Sequence, residues 1–586
     1  MLTLPNISAL PASRRLRCRI GLVCALLVAV GCSSESQTQD PAGGSSGGAG
    51  GRSDGSGGDP EPSPPPAGQG GARVVPPPPT GNVGGTTGEG GGVAQGGNTA
   101  AGGARGNAGG NTATGGGGGN TSSGGAPPDL PPFKKKNVLL IMADDMNDWA
   151  QPFGGHPQGK TPNIAKLAAK GVVFNSAHAA VPVCQPSRTA MLTGLRPHDS
   201  KIWGNDDPHF RTLPGLANRV TLPQYFMSQG YRALGAGKIF HEEGADTDSD
   251  SWDAEFLGAK GAKKPNVVPD HGMTFAGAHG DLLNWGPNDG TTEEQGDWQG
   301  ADYIAAELEK PQDKPFFFAY GASKPHLAWF VPQKYFDMFP LDSIQLPTVD
   351  NNDQDDIPAE GRMSNDSQVQ FLLPESQAKK NWQKAVQAYL ANIAFADDCI
   401  GHVLDALERG PHKDNTIVLI MGDHGWHLGE KQHWGKATLW EEATRTPLVI
   451  YDPSIGRPGV TNEPVSLQDL YPTLIELNGL GSAPTPLAGH SLVPLLLDPA
   501  GSKHVGWALV SWADGGEALR TERWSLIRHG MAGGYQYELY DMVADQLQHK
   551  NLANLPAHAA TVTALSKEID NIIKTNAPVS TQAFEP

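Results

Sequence analysis

At 586 residues the chain is long enough for two or three domains and for a large buried core. Its net charge of -18 excludes a general nucleic-acid or anionic-membrane binder, since no basic patch dominates. An anionic small substrate stays admissible, because a pocket can be locally positive in an acidic protein.

The first 32 residues read as an export signal. Arg14, Arg15, Arg17 and Arg19 precede an apolar run from Ile20 to Val30 that is too short to span a bilayer comfortably. The run closes on VAVGCSS, and small residues before Cys32 followed by serines resemble a bacterial lipoprotein signal. Cys32 is then the lipidated first residue of the mature chain, and its lipid is the only membrane contact expected. Ala29 departs from that pattern, which usually has Leu there, and an ordinary cleaved signal peptide is the alternative. SRRLR hints at twin-arginine export. On this reading the protein is exported, to the cell envelope as a lipoprotein or otherwise to the periplasm or medium.

Of the 5 cysteines, Cys18 and Cys24 leave with the signal and Cys32 is acylated. Cys184 and Cys399 remain, which is no disulfide framework although the compartment permits one. Residues 33–132 hold most of the Gly, Pro and Ser runs and hardly any large apolar side chain. Such a segment cannot bury enough surface to offset ordering entropy, so it is expected to be a disordered tether.

After PPFKKK the composition changes abruptly to NVLLIMADD, and short apolar runs begin to alternate with helical patterns. This predicts an α/β fold with a largely parallel central sheet flanked by helices, over residues 133–502. NVLLIM is a buried strand by its continuous apolar character. TPNIAKLAAKG offers Thr161 as N-cap, Pro162 at the first helical position and Gly171 as the stop. CQPSRTAMLTG predicts a short helix from Pro186 to Leu192, ended by Gly194, with Cys184 at or just before its start. YRALGA, PFFFAYG and NTIVLIMGD are further strands. Cys399 lies in a helical stretch where Tyr389, Ile393, Ile400, Val403 and Leu407 share a face, and reads as inert. From 503 to 586 alternating strands, turns and a final helix predict a smaller α+β subdomain.

Open parallel sheets place ligands beyond the carboxyl ends of their strands. Three predicted strand ends here carry unusual chemistry. NVLLIMADD ends in Asp144-Asp145, TIVLIMGDHG ends in Asp423-His424, and PFFFAYGASKPH runs into Lys324 and His326. Adjacent acids at a strand end repel and lose hydration. A hard divalent cation held by Asp144, Asp145, Asp423 and the His424 side chain would compensate them, and mostly oxygen ligands favour calcium or magnesium over zinc. Lys238 and His241 in GAGKIFH and Lys436 in HWGKATLW add basic groups, so the pocket suits an anion. A helix start at Cys184 also favours an anionic ligand. A cysteine thiolate nucleophile fits that position, but soft sulfur is poorly matched to a hard metal. An oxygen nucleophile suits it better.

CQPSRTAMLTG resembles the signature of type I sulfatases of the alkaline phosphatase superfamily, in which the cysteine is oxidised to formylglycine and its hydrate is the nucleophile. The likeness runs from Lys136 to the C-terminus through ADDMNDW, TPNIAKLAAKGVVF, GKIFH, SKPH, GDHGWHLGE, KATLWEEATRTPLVI and ELYDMVADQLQHKNLA. Its wording is most similar to the iduronate-2-sulfatase-like branch. The resemblance implies a formylglycine-generating maturation enzyme as partner. It implies calcium, or magnesium, held by Asp144, Asp145, Asp423, His424 and modified Cys184. It also implies that Arg188 holds the hydrate, Lys238 helps to orient it, and Lys436 with the metal binds the sulfate oxygens. One hydroxyl of the hydrate attacks sulfur in line. His326, with Lys436 nearby, protonates the leaving oxygen, and His241 takes the proton from the remaining hydroxyl so that sulfate is eliminated. Lys238, His326 and Lys436 thus also contact substrate.

The stretches HEEGADTDSDSWDAEFLGAKGAKKPNVVPDHG and Asn351 to Asp366 match no motif and are expected to line the pocket and set specificity. The substrate expected is a sulfated sugar or glycan, with iduronate not implied in particular. The alternatives are a phosphonate or phosphate ester hydrolase of the same superfamily, and a catalytically dead surface glycan-binding protein.

Overall fold

Asn137–Ala143 forms the middle of an eight-stranded sheet in this computed structural model, every residue of it buried. The structure describes residues 133–575 apart from 242–247, 254–255, 259–262, 270, 272–283, 363–375, 378, 514 and 532. The export signal, Cys32 and the tether therefore lie outside the described residues, as do parts of both unmatched stretches. All described residues belong to one unit, 126–586.

Strand order across the sheet is Gly459–Thr461, Val172–Phe174, Leu448–Tyr451, Thr416–Gly422, Asn137–Ala143, Phe316–Ala322, Arg232–Gly237 and Leu257–Gly258. The five strands from Thr416–Gly422 to Leu257–Gly258 run parallel, and the Leu448–Tyr451 strand is antiparallel to both its neighbours. The sheet is thus largely parallel, as its unbroken apolar strands require when both faces are covered. Register puts Leu140 beside Ala319 on one side and Leu419 on the other.

Alternation along each strand divides the core in two. Leu139 and Ile141 pack with Phe318, Tyr320 and the long Asn381–Arg409 helix. Val138, Leu140 and Met142 pack on the opposite face with Leu192 of the Cys184–Thr193 helix and Leu470 and Leu474 of the Leu470–Leu477 helix. Two such cores, clamped on one sheet, make the strand ends rigid supports for chemistry; truncating any one of these leucines costs about 2–5 kcal/mol.

Most predicted elements are present, with one change of cap. Thr161 stands at the N-cap of the Pro162–Ala168 helix but makes no side-chain cap bond. Its hydroxyl accepts the Gln151 N–H at 2.6 Å instead. The free N–H groups of Asn163 and Ile164 go to the Asp397 carboxylate of the long helix, at 3.0 and 2.9 Å. A distant ionisable side chain displaced the local hydroxyl because it satisfies two orphan donors at once. Gly171 carries no left-handed turn; a side chain there would meet the Ile450 carbonyl oxygen at 2.6 Å.

The C-terminal sheet is a four-stranded antiparallel meander, Trp507–Trp512, Gly516–Thr521, Trp524–Met531 and Gly534–Asp541. The Ala559–Thr575 helix covers one face through Leu565, Ile569 and Ile572.

Candidate active site

The parallel strands deliver their carboxyl ends to one edge, and the side chains singled out above meet there. Asn137–Ala143 leads into Asp144 and Asp145, Thr416–Gly422 into Asp423 and His424, Arg232–Gly237 into Lys238, and Phe316–Ala322 into His326. Cys184 is the first residue of its helix, which ends at Gly194 with φ 66°. The Cys184 thiol is fully buried. Potential donor atoms of Asp144, Asp145, Cys184 and His424 all lie within 4.8 Å of one another.

Contacts within the cluster are short and specific. Lys436 Nζ donates to Asp145 Oδ1 at 2.7 Å and lies 2.9 Å from Cys184 Sγ. His424 Nε2 is 3.3 Å from the same sulfur and 3.4 Å from Asp145 Oδ1. Lys238 Nζ donates to Asp144 Oδ2 at 2.5 Å. Arg188, wholly buried, donates from Nε to Asp423 Oδ2 at 2.7 Å and from its terminal nitrogens to Asp144 Oδ1 at 3.1 Å and to the carbonyls of Lys238 and Ile239. Its hydrogen bonds therefore tie the two acidic strand ends together. Asp423 Oδ1 accepts the backbone N–H groups of Asp145 and His424, both at 3.0 Å, so this carboxylate already holds three donors. His326 Nε2 stands 3.9 Å from Asp145 Oδ2. His241 follows three residues after Lys238, partly buried, in a loop whose next six residues lie outside the described ones. The Lys324 amine donates to the carbonyls of His326 and Ala328 and not to the acids of the cluster.

Electrostatics follow from this packing. Burial acts to raise the Asp144 carboxyl, but Lys238 and then Arg188 outweigh it and hold the group well below the usual carboxylate range. At Asp145 burial wins, and Lys436 and His326 only partly offset it. Burial and Asp144 oppose a Cys184 thiolate, yet Lys238, Lys436 and His424 bring the thiol below its ordinary value. Burial disfavours a charged His424, and Asp423 with Cys184 overturns this, pushing it up to about 9. Asp145 Oδ2 is buried without a hydrogen-bond partner. An orphaned carboxylate oxygen among two acids and an imidazole fits a divalent cation. The sulfur at position 184 is the one soft donor in a hard set, and oxygen there would remove the mismatch.

Several supporting residues carried no signal in the sequence. Asp145 has φ 61°, in the left-handed region. Tyr389, from the middle of the long helix, donates its hydroxyl to the Asp145 carbonyl at 2.7 Å and accepts the Asn147 N–H at 3.0 Å. Ser187 Oγ donates to the Asp423 carbonyl at 2.6 Å, locking the Cys184 helix to the second acidic strand end. Gly237 and Gly321 let two parallel strands close up beside Lys238. A Cβ on Gly237, where φ is +77°, would come within 1.9 Å of the Gly321 oxygen. Glycine in GAGK is visible in the sequence; its partner on the neighbouring strand is not.

An α/β sheet whose carboxyl edge gathers acids, ammonium groups and a cysteine at a helix start suits a hydrolase of anionic esters, and the fold is alkaline phosphatase-like. The family model described as Sulfatase matches residues 136–480, and the one described as N-sulphoglucosamine sulphohydrolase, C-terminal, matches residues 429–575. A protein named Sulfatase from Formosa agariphila is 34% identical over 460 residues, 77% of this chain and 89% of that one. Iduronate 2-sulfatase of Mus musculus is 32% identical over 362 residues, 57% of this chain and 62% of that protein. Among solved structures, the phosphonate monoester hydrolase of Agrobacterium radiobacter superposes with a TM-score of 0.59 at 20% identity, covering 76% of this chain and 96% of that one, a likeness of fold. The chain belongs to the sulfatase family: it is a type I sulfatase of the alkaline phosphatase superfamily, a sulfuric ester hydrolase.

Proposed function

We propose that this sulfatase removes sulfate from a sulfated sugar, with Cys184 converted to formylglycine and calcium, or magnesium, bound by Asp144, Asp145, His424 and the residue at 184, with Asp423 beside them. The observation that carries this reading is the position of Cys184 itself. It opens a helix where both acidic strand ends meet, 2.9 Å from the Lys436 amine. A hydrated formylglycine supplies an oxygen nucleophile matched to a hard cation, and the cation supplies charge neutralisation at the sulfate oxygens.

The chain's own residues do the rest. Asp144, Asp145 and Asp423 are balanced by Arg188, Lys238 and Lys436, so a bound divalent ion would give the site a net positive charge. That excess selects an anionic ester over a neutral one. Lys436 and Lys238 present ammonium groups already fixed by carboxylates, so they need not reorganise as charge develops on the transferring group. His326 faces the same space and hands a proton from Nε2 to the leaving alcohol oxygen. Its Nδ1 lies 2.7 Å from the Leu327 carbonyl, which only accepts, so Nδ1 carries hydrogen and Nε2 donates as the imidazolium. Burial pushes this imidazole down to about 4, against Asp145. A bound sulfate ester adds negative charge beside it and favours the protonated form. His241, three residues beyond Lys238, is the base that takes up a proton as sulfate departs.

A sugar is supported by the name of the iduronate relative, since iduronate is a sugar acid. The chain is exported and held at the cell envelope by lipid on Cys32, a reading supported by the arginines, apolar run and VAVGCSS of its first residues. Its other partner is the enzyme that matures Cys184. The test is protein co-expressed with such a maturation system, assayed on sulfated monosaccharides beside phosphate and phosphonate esters, with mass spectrometry of the peptide around residue 184. Sulfate release by protein carrying an aldehyde at 184 is expected. Full activity with an intact thiol refutes the nucleophile, and preference for phosphorus esters refutes the substrate class.

A further inference from the structure

We propose that Lys324 is a positioning residue for the general acid: its buried amine, on a loop whose start is held by Asp297, fixes the peptide carbonyls that aim His326 at the leaving group. The inference rests on the role given to His326 above.

Lys324 follows the end of the Phe316–Ala322 strand, yet the hydrogen bonds of its amine go to its own loop and not to the acids of the cluster. Only 4% of it is exposed. Burying an ammonium group is unfavourable without partners, and burial pulls this one down to about 8, against Asp297 first and then Asp144 and Asp145. The amine donates to the His326 carbonyl at 2.8 Å and to the Ala328 carbonyl at 2.5 Å. Those two carbonyls flank Leu327, whose own carbonyl takes the Nδ1 hydrogen of His326 at 2.7 Å. Three successive carbonyls are thus oriented by one loop, and the middle one sets the tautomer and rotation of the imidazole.

The loop is anchored at its start as well. Asp297, in the first turn of the Gly296–Leu308 helix, accepts the Ser323 N–H at 3.0 Å and the Lys324 N–H at 2.8 Å. His326 N–H closes a turn on the Ser323 carbonyl at 2.9 Å, and Trp329 Nε1 donates to the Pro325 carbonyl at 2.6 Å. The backbone on both sides of His326 is thus held at several points. Without the amine, the carbonyls on either side of Leu327 lose their common donor. The peptide between them is then free to rotate, and the imidazole loses the fixed geometry that general acid catalysis needs.

The experiment compares Lys324→Met, His326→Ala and the double variant of the matured protein on a series of aryl sulfates of graded leaving-group acidity, plus a sulfated monosaccharide. A general acid contributes about 10²–10⁴-fold. Lys324→Met is expected to lower kcat at least tenfold for the poorest leaving groups and the sugar, and less than threefold for 4-nitrophenyl sulfate, with KM little changed. The double variant should be no worse than His326→Ala, because a brace has no value once the braced group is gone. Equal losses across the series, or losses that add in the double variant, overturn the proposal. Misfolding of Lys324→Met is read separately, by circular dichroism and thermal unfolding before any assay; if that variant does not fold, Asp297→Asn, which keeps the acceptor oxygen facing one N–H, must show the leaving-group selectivity or the proposal fails. If His326→Ala itself shows no such selectivity, the acid assignment falls and the brace with it; if only Lys324→Met lacks it, the brace alone falls.

Discussion

Tyr389→Phe isolates one hydroxyl that stands between a core helix and the turn of Asp145, a proposed metal ligand. The ring keeps its edge-on contacts with Trp149 and Trp329, at centroid distances of 5.4 and 5.5 Å, so packing is unchanged. What disappears is the donor to the Asp145 carbonyl and the acceptor for the Asn147 N–H. Each buried group left unsatisfied costs about 1–3 kcal/mol. Asp145 also sits in the left-handed region, unfavourable by roughly 1–2 kcal/mol for an L-residue, so it has an alternative conformation to relax into once released. Relaxation spares part of the desolvation penalty by moving the carboxylate out of the cluster. We therefore expect about 2 kcal/mol to appear as weakened ion binding, close to 30-fold, and less as lost global stability. Calcium titration calorimetry on chelator-treated protein, with thermal unfolding in the presence and absence of the ion, reads both quantities. Calcium affinity within twofold of the parent protein would refute the reasoning.

Chelation is expected to abolish hydrolysis and lower the unfolding temperature, both restored by calcium; an ion at a hundredfold excess over its Kd contributes about 2.7 kcal/mol, and full activity of rigorously metal-free protein excludes the site. Gly237→Ala should destabilise by at least about 3 kcal/mol and cut activity, because its Cβ meets the Gly321 oxygen at 1.9 Å on a left-handed backbone; unfolding in urea measures it, and a shift under 1 kcal/mol contradicts the close approach. His178, fully buried against Ser176 and Thr444, is pushed down to about 4 by burial. Its unfolded form binds a proton first as pH falls, so stability is complete above about 6.5 and declines between 6.5 and 4, by up to about 3 kcal/mol. His178→Gln should flatten that part of the stability–pH curve, and an unchanged slope would show that another group carries it.

The parallel strands were legible because burial on both faces demands unbroken apolar runs, and NVLLIM, PFFFAYG and TIVLIMG are short, rich in β-branched or aromatic residues and bounded by polar or turn residues. Their carboxyl ends then located Asp144, Asp145, Asp423, His424 and His326 without any knowledge of packing, since an α/β sheet has one chemical edge. What could not be read was the support. Tyr389 has the spacing of an ordinary core residue, and its hydroxyl matters only because Asp145 turns left-handed 244 positions away in the chain. Thr161 had the right local chemistry for a cap and lost to Asp397, which approaches from another helix. Lys324 looked like a pocket base by its place at a strand end, and its amine turns back into its own loop. In each case the residue type was visible and its partner was not, because partners here come from elements brought together only by the fold. Local pattern therefore specifies which groups reach the site; tertiary packing specifies which of them can be held still. On the proposed mechanism the second question bears on rate, since ammonium groups and imidazoles would act on the transferring sulfate only as well as the loops behind them are fixed.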